Sequence, residues 1–179
     1  KHGILIQAFK ELRAKGCRID ALYLVGTVPH SSGYAYLEEV KALAQGLAVV
    51  VQPNASFVTL KQRYGESLVY WHATGYGENP FRNPIRLEHF GLTTIEAMAA
   101  GCVPIVFSAG GQREIIEHEV NGLLCTSVEE LKEHTRRVFD FPLEAQRLAA
   151  AARRTAEQFG WPVFQTRLLK TLEGLFSGL

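Results

Sequence analysis

The chain has 179 residues, with 19 basic and 18 acidic side chains interspersed for a formal charge of +1. That length buries about two-thirds of the unfolded surface, enough for one self-sufficient core and too little for two large ones. The even charge excludes a nucleic-acid footprint and a polybasic membrane patch, and no apolar run approaches the roughly 18 residues of a membrane span.

The chain opens on an amphipathic helix signal, Gly3 to Ala14, with no strand before it. Four short, nearly continuous apolar runs follow: Ala21 to Gly26, Ala48 to Gln52, Leu68 to His72 and Val103 to Phe107. These are the pattern of parallel strands covered on both faces, and Gly122 to Cys125 reads as a fifth. Helix signals alternate with them at Tyr34 to Gln45, Phe57 to Tyr64 and Leu92 to Ala100, with Ser56 as N-cap of the second of these and Gly101 as stop for the third. The alternation selects an α/β fold, a Rossmann-like parallel sheet with helices on both faces. From 128 to 179 the chain becomes mainly helical, with segments Val128 to Phe139, Leu143 to Phe159 and Val163 to Phe176. Gly160-Trp161-Pro162 separates the last two. Leu168, Leu169, Leu172, Leu175 and Phe176 share one face of the final segment and need a cover. One domain, 1–179, is expected.

Cys17, Cys102 and Cys125 are odd in number and lack Cys-x-x-Cys spacing, which argues for a reducing compartment; with no export signal at the N-terminus, the expected location is cytoplasmic. No set of carboxylates or histidines stands at metal spacing, so neither a metal nor a cofactor is expected. Gly75-Tyr76-Gly77 lacks the third glycine of a dinucleotide fingerprint, with Pro80 in its place, and the NAD reading is set aside.

The chemistry concentrates at Glu88-His-Phe-Gly-Leu-Thr-Thr-Ile-Glu96, where two acids eight positions apart flank the expected start of the Leu92 helix. A carboxylate can accept hydrogen bonds from both hydroxyls of a ribose cis-diol, and unpaired amides near Gly91, Leu92 and Thr93 can hold phosphate oxygens. A Phe-Gly turn before an Ala-rich helix with a surface acid would also serve as plain packing.

This segment resembles the EX7E motif of family 4, the nucleotide-sugar-dependent retaining GT-B glycosyltransferases. The likeness continues through Glu96-Ala-Met-Ala-Ala-Gly101-Cys-Val-Pro-Ile-Val106, Gly110-Gly111-Gln-Arg-Glu114-Ile-Ile116 and Asn121-Gly122-Leu-Leu124. The resemblance implies the C-terminal, donor-binding half of a GT-B fold with a helical C-terminal extension, and retaining, metal-independent transfer from a nucleoside diphosphate sugar to a hydroxyl acceptor. The acceptor would be bound by an N-terminal domain outside this sequence, and residues 163–179 would return to pack on it. The isolated chain is then expected to bind donor weakly and to turn nothing over. The alternative is a non-catalytic GT-B-like module that binds a nucleotide or a protein partner.

The likeness also implies roles. Glu88 would contact the transferred sugar beside the reacting centre, orienting it, and Glu96 would hold the ribose hydroxyls. Phe90, Gly91, Leu92 and Thr93 would line the diphosphate and sugar with backbone groups, and His89, beside the site in sequence, could hydrogen-bond a sugar hydroxyl or phosphate of the donor but is expected to support the site rather than react. Lys1 stands where the family has a lysine on the diphosphate, or is a solvated lysine. Gly26 would sit near the diphosphate. Asn54, after a proline where glycine is usual, marks either a base contact or a plain strand-end turn. His72 is expected to support the site rather than react. The 74–87 segment, with Arg82 and Arg86 between prolines, is either a stiffened cationic flap or a solvated insertion. Glu114, Glu117, His118 and Glu119 are read as two turns of polar helix. Because the family's first strand would lie between those of Tyr23 and Val69, a sheet formed by these residues is expected to be open or rearranged there.

Overall fold

The computed structural model describes residues 1–28 and 31–176. Helix α1 (His2–Ala14) leads to β1 (Leu22–Gly26), α2 (Ser31–Ala44), β2 (Val49–Pro53), α3 (Phe57–Glu66) and β3 (Val69–His72). After a single 3-10 turn at Pro84–Arg86 come α4 (Leu92–Ala100), β4 (Val103–Phe107), α5 (Gln112–Ile115), β5 (Leu123–Cys125), α6 (Val128–Asp140), α7 (Pro142–Glu157) and α8 (Trp161–Phe176).

The local punctuation follows the sequence. The Ser56 hydroxyl accepts from Thr59 N at 3.1 Å and caps α3. Gly101, at φ 92°, closes α4 by donating its amide to the Ala97 and Met98 carbonyls, a conformation glycine adopts without strain. Pro162 sits in the first turn of α8, where its missing amide costs nothing.

All strand pairs are parallel, and they form two separate sheets, β1–β2 and β3–β4–β5. Leu22 faces Val49 and Gly26 faces Pro53 in the first; Val69 faces Val103 and Ile105 faces Leu123 in the second. The sheet is therefore open between the β1–β2 pair and the β3–β4–β5 set, as the sequence led us to expect. Helix α1 spans the opening: Leu5 and Ala8 pack into the core under β4 and β5, while Ile6 packs with Leu24, Val40 and Ala44.

The expectation of strands buried on both faces holds for β4 alone, whose five residues are all buried between β3 and β5. The residues of β3 and most of those of β1 and β2 are half-buried, and Val50 is exposed. Their composition is that of interior strands, but β1, β2 and β3 each pair with a neighbouring strand on one side only among the described residues. Alternate β4 side chains feed two cores. Val103, Ile105 and Phe107 meet α1 and α6, and Val106 meets Ile95 and Met98 of α4. Helix α7 closes both, with Leu148 in the first and Ala152 and Ala156 in the second.

The polar helix expected around Glu114 to Glu119 is a single turn, α5, followed by a turn with Glu119 at φ 64°. Asn121 enforces this: buried, it accepts from Glu117 N at 2.8 Å and donates to the Ile115 carbonyl and to Thr155. Leu168, Leu169, Leu172 and Leu175 of α8 are exposed; the side chain of Phe176 and residues 177–179 lie outside the described part.

Candidate functional site

The parallel strands carry their connections to helices at one edge, and the acids stand there. β3 ends at His72, the chain makes the 73–87 excursion, and the Glu88 to Gly91 segment then turns into α4. That turn requires Gly91, at φ 96°, and any side chain there would press on Ile115 and Gln112. The following β4 exit, Gly110-Gly111, lies directly under the acid segment: a Cβ on either glycine would collide with the Glu88 or His89 carbonyl. Gly111 N donates to Glu88 O at 2.8 Å.

The helix start is not as bare as the sequence suggested. Glu88 folds back as a cap, its Oε1 accepting from Gly91 N at 3.0 Å and Phe90 N at 3.3 Å. The amides left without a partner among the described residues are those of Leu92 and Thr93, which lie at the positive end of the α4 dipole. Glu88 Oε2 lies 3.1 Å from His72 Nε2, and His72 Nδ1 is 3.2 Å from Gln112 Nε2. Burial pushes the His72 pKa below its ordinary value, against the opposing pull of Glu88.

Glu96 stands exposed on the second turn of α4. Tyr64 of α3 donates to Glu96 Oε2 and to the Thr93 carbonyl, both at 3.3 Å, and Tyr70 of β3 donates to Thr93 Oγ1 at 2.8 Å. Burial pushes the Tyr70 phenol up to about 12 and raises that of Tyr64 as well, so both stay neutral donors near pH 7. These tyrosines were missed in the sequence, where they read as ordinary apolar positions.

The structure thus brings Glu88, His89, Phe90, Gly91, Leu92, Thr93 and Glu96 together at one helix start, with His89, Phe90 and Leu92 exposed. Gly26 and Asn54 form a second, linked pair at the ends of β1 and β2. Asn54 N donates to Gly26 O at 2.8 Å, and Asn54 Oδ1 accepts from Val28 N at 2.9 Å. Asn54 therefore ties the β1 exit with its side-chain carbonyl. Lys1 Nζ is held by Glu78 at 3.0 Å, which ties the first residue to the 73–87 excursion.

That excursion has a built root and an exposed tip. Tyr76 packs on Phe107 with ring centroids 4.5 Å apart, and Glu78 also draws Arg86 to 3.6 Å. Asn79 Oδ1 accepts from Phe81 N and Arg82 N at 2.9 and 3.0 Å, fixing the turn that leaves Phe81 94% exposed. Of the two arginines, only Arg82 makes no ion pair among the described residues.

A parallel α/β domain with acids and a free helix N-terminus at the carboxyl ends of its strands belongs to the Rossmann-like class that binds ligands at this edge. Within that class the chain belongs to the glycosyl transferases group 1, whose family model matches residues 2–155. It is 28% identical over 161 residues to the Dictyostelium discoideum GDP-Man:Man(3)GlcNAc(2)-PP-Dol alpha-1,2-mannosyltransferase, covering 87% of this chain and 30% of that protein. Anabaena HepE, solved in complex with UDP, superposes with a TM-score of 0.76 at 23% identity, over 96% of this chain and 44% of that one. The C-terminal domain of a group 1 glycosyl transferase from Francisella tularensis gives 0.66 at 19% identity, over 87% of this chain and 77% of that domain. The fold is therefore the C-terminal domain of a GT-B glycosyltransferase, and the chain spans about a third of the curated relative's length.

Proposed function

We propose that this chain is the donor-binding half of a retaining glycosyltransferase, which takes a sugar from a nucleoside diphosphate sugar and passes it to a hydroxyl acceptor held by an N-terminal domain. The observation that carries this reading is the helix start itself: two amides without a partner among the described residues, Leu92 N and Thr93 N, lie between an acid placed before the helix and one on its second turn. Group 1 membership and the nucleotide compounds printed in the relatives' names, GDP-Man and UDP, support a nucleotide-sugar ligand.

In this reading the diphosphate sits on the α4 N-terminus. Charge grows on the diphosphate as the glycosidic bond breaks, and the helix dipole and amides stabilise it without a divalent ion. Glu96, steadied by Tyr64, accepts the ribose hydroxyls, and Glu88 meets the transferred sugar. Gly26 lies near the diphosphate, Asn54 lies toward the base, and His89 and Phe90 line the exposed side of the donor. Lys1 reaches the diphosphate by leaving or sharing Glu78, which holds it at 3.0 Å. Cys17, Cys102 and Cys125 are all free, which supports a reducing, cytoplasmic setting; among the described residues no helix is long and apolar enough to cross a membrane.

Titration calorimetry with UDP, GDP and ADP sugars on this chain and on Glu96→Ala tests the proposal. Saturable binding to one base series, lost in the variant, is expected. No binding to any series would instead favour a GT-B-like module that recognises a protein partner, and robust transfer by this chain alone would overturn the division of labour between two domains.

A further inference from the structure

Three side chains from three parts of the chain form a line into the site: Gln112 at the start of α5, His72 at the end of β3, and Glu88 before α4. Gln112 is fully buried, its Nε2 lies 3.2 Å from His72 Nδ1, and its Oε1 has no partner among the described residues. On the other side of the ring, His72 Nε2 is 3.1 Å from Glu88 Oε2. The His72 side chain is only 12% exposed and that of Glu88 24%.

The hydrogen-bond inventory of these groups allows few arrangements. An amide nitrogen only donates, so His72 Nδ1 facing it must accept, and the ring proton is then on Nε2, directed at the carboxylate. Turning the amide over would place a proton on Nδ1. Nε2 would then either turn a lone pair on Glu88 Oε2 or carry a second proton, making a buried imidazolium. With Glu88 ionised, only the first arrangement gives a neutral ring with a hydrogen bond on each side.

Glu88 is thereby almost fully engaged. A carboxylate offers about four acceptor sites. Oε1 receives Phe90 N and Gly91 N, and Oε2 receives His72 Nε2. One site remains open.

We propose that Gln112 is a positioning residue that fixes the Nε2-protonated tautomer of a neutral His72, and that His72 in turn presents Glu88 with its full negative charge and one free acceptor site. The use of that site for a hydroxyl of the transferred sugar rests on the donor-binding reading above; the tautomer and the geometry do not. The choice of residue types has a chemical consequence. An arginine or lysine in place of His72 would orient the acid equally well but cancel its charge. A neutral donor orients it and leaves the charge available to the positive character that develops on the anomeric carbon as the leaving group departs.

Nitrogen-15 NMR of histidine-labelled protein at pH 7.5 tests the first part with no ligand present. The His72 ring is expected to carry its proton on Nε2 with Nδ1 bare; a ring protonated on Nδ1, or on both nitrogens, overturns the assignment. In Gln112→Glu the new carboxylate accepts at Nδ1, and the ring should convert to imidazolium with an upward-shifted titration; an unchanged titration in the folded variant also overturns it. For the second part, Gln112→Met keeps the volume and removes the donor. Its affinity for the nucleotide sugar should fall roughly tenfold while that for the bare nucleoside diphosphate stays unchanged, because the relay acts only on the group that meets the sugar. Equal loss for both ligands assigns Gln112 a merely structural role. If the unaltered chain binds neither ligand, the donor reading fails while the tautomer result stands or falls separately.

Discussion

Gly111 N donates to the Glu88 carbonyl at 2.8 Å, and this bond joins the β4 exit loop to the acid-bearing segment at backbone level. The approach is so close that a methyl group on Gly111 would overlap the His89 carbonyl. Backbone cannot swing aside as a long side chain can, so the segment itself must move. Gly111→Ala is expected to lower stability by about 1–3 kcal/mol, the range for forced overpacking, in urea unfolding. It should also abolish nucleotide-sugar binding, because the shift falls on Glu88 and the α4 N-terminus. Unchanged stability would mean that the two loops are not held against each other as the structure shows.

The lowered pKa of His72 carries a pH dependence with a definite sign. Burial is the larger cause and holds the folded-state value below the ordinary 6.5, while Glu88 pulls the other way. Between those two values the unfolded chain binds a proton that the folded chain does not, so stability falls as pH drops below about 6.5 and is complete above it. His2 and His134 are lowered in the same direction, so the whole slope is shared. The contribution of His72 is the difference between the native chain and His72→Gln, measured by urea unfolding at pH 7.5, 6.0 and 5.0. The variant should show the shallower slope, by at most about 1.4 kcal/mol per pH unit. Equal slopes would mean that the ring takes up its proton without cost.

Tyr64 reaches from α3 to the Thr93 carbonyl and to Glu96 on α4, both at 3.3 Å. These bonds are long, and the ring would stay packed without its hydroxyl. Tyr64→Phe should therefore cost no more than about 1 kcal/mol of stability. The larger effect is expected on donor affinity, since Glu96 loses the contact that restricts its rotamers. Calorimetry that showed undiminished binding with reduced stability would reverse that ranking and place Tyr64 with the core rather than the site.

What the sequence disclosed and what it withheld follow from the range of the interactions. The bounds of α4, Leu92 to Ala100, were legible because an Ala-rich segment, a glycine before it and a glycine after it are all local signals. The same is true of Ser56 and of the Gly160 to Pro162 break. The acids could be located, but the capping of the helix start by Glu88 could not, since it depends on how a four-residue turn closes. Gln112 was invisible as a site residue because its meaning comes from His72, forty positions earlier in the chain and at the end of the neighbouring strand. Tyr64 and Tyr70 converge on Thr93 in the same long-range manner. The burial of β1 to β3 was overestimated because composition reports how apolar a strand is, while exposure depends on whether it has a neighbour on both sides.

Helix α8 gives the last prediction. Its Trp161 is 70% exposed and its Leu175 66%, and none of its described side chains joins the three core clusters. The match to the family model ends at residue 155, before this helix begins. A helix of this length is marginal in water without a packed face, so α8 adds little to the stability of the domain below it. Truncation after Gly160 keeps the Phe159 ring against Phe90, at 6.0 Å between centroids, and so leaves the acid segment supported. The shortened chain should unfold within about 0.5 kcal/mol of the longer one, the range for changes away from packed features. Removal of the stripe should also reduce self-association measured by sedimentation, since an exposed apolar face of that extent promotes contact between copies. A loss of more than about 2 kcal/mol would show instead that α8 is integral to the domain, because losses of that size come from packed or otherwise specialised features.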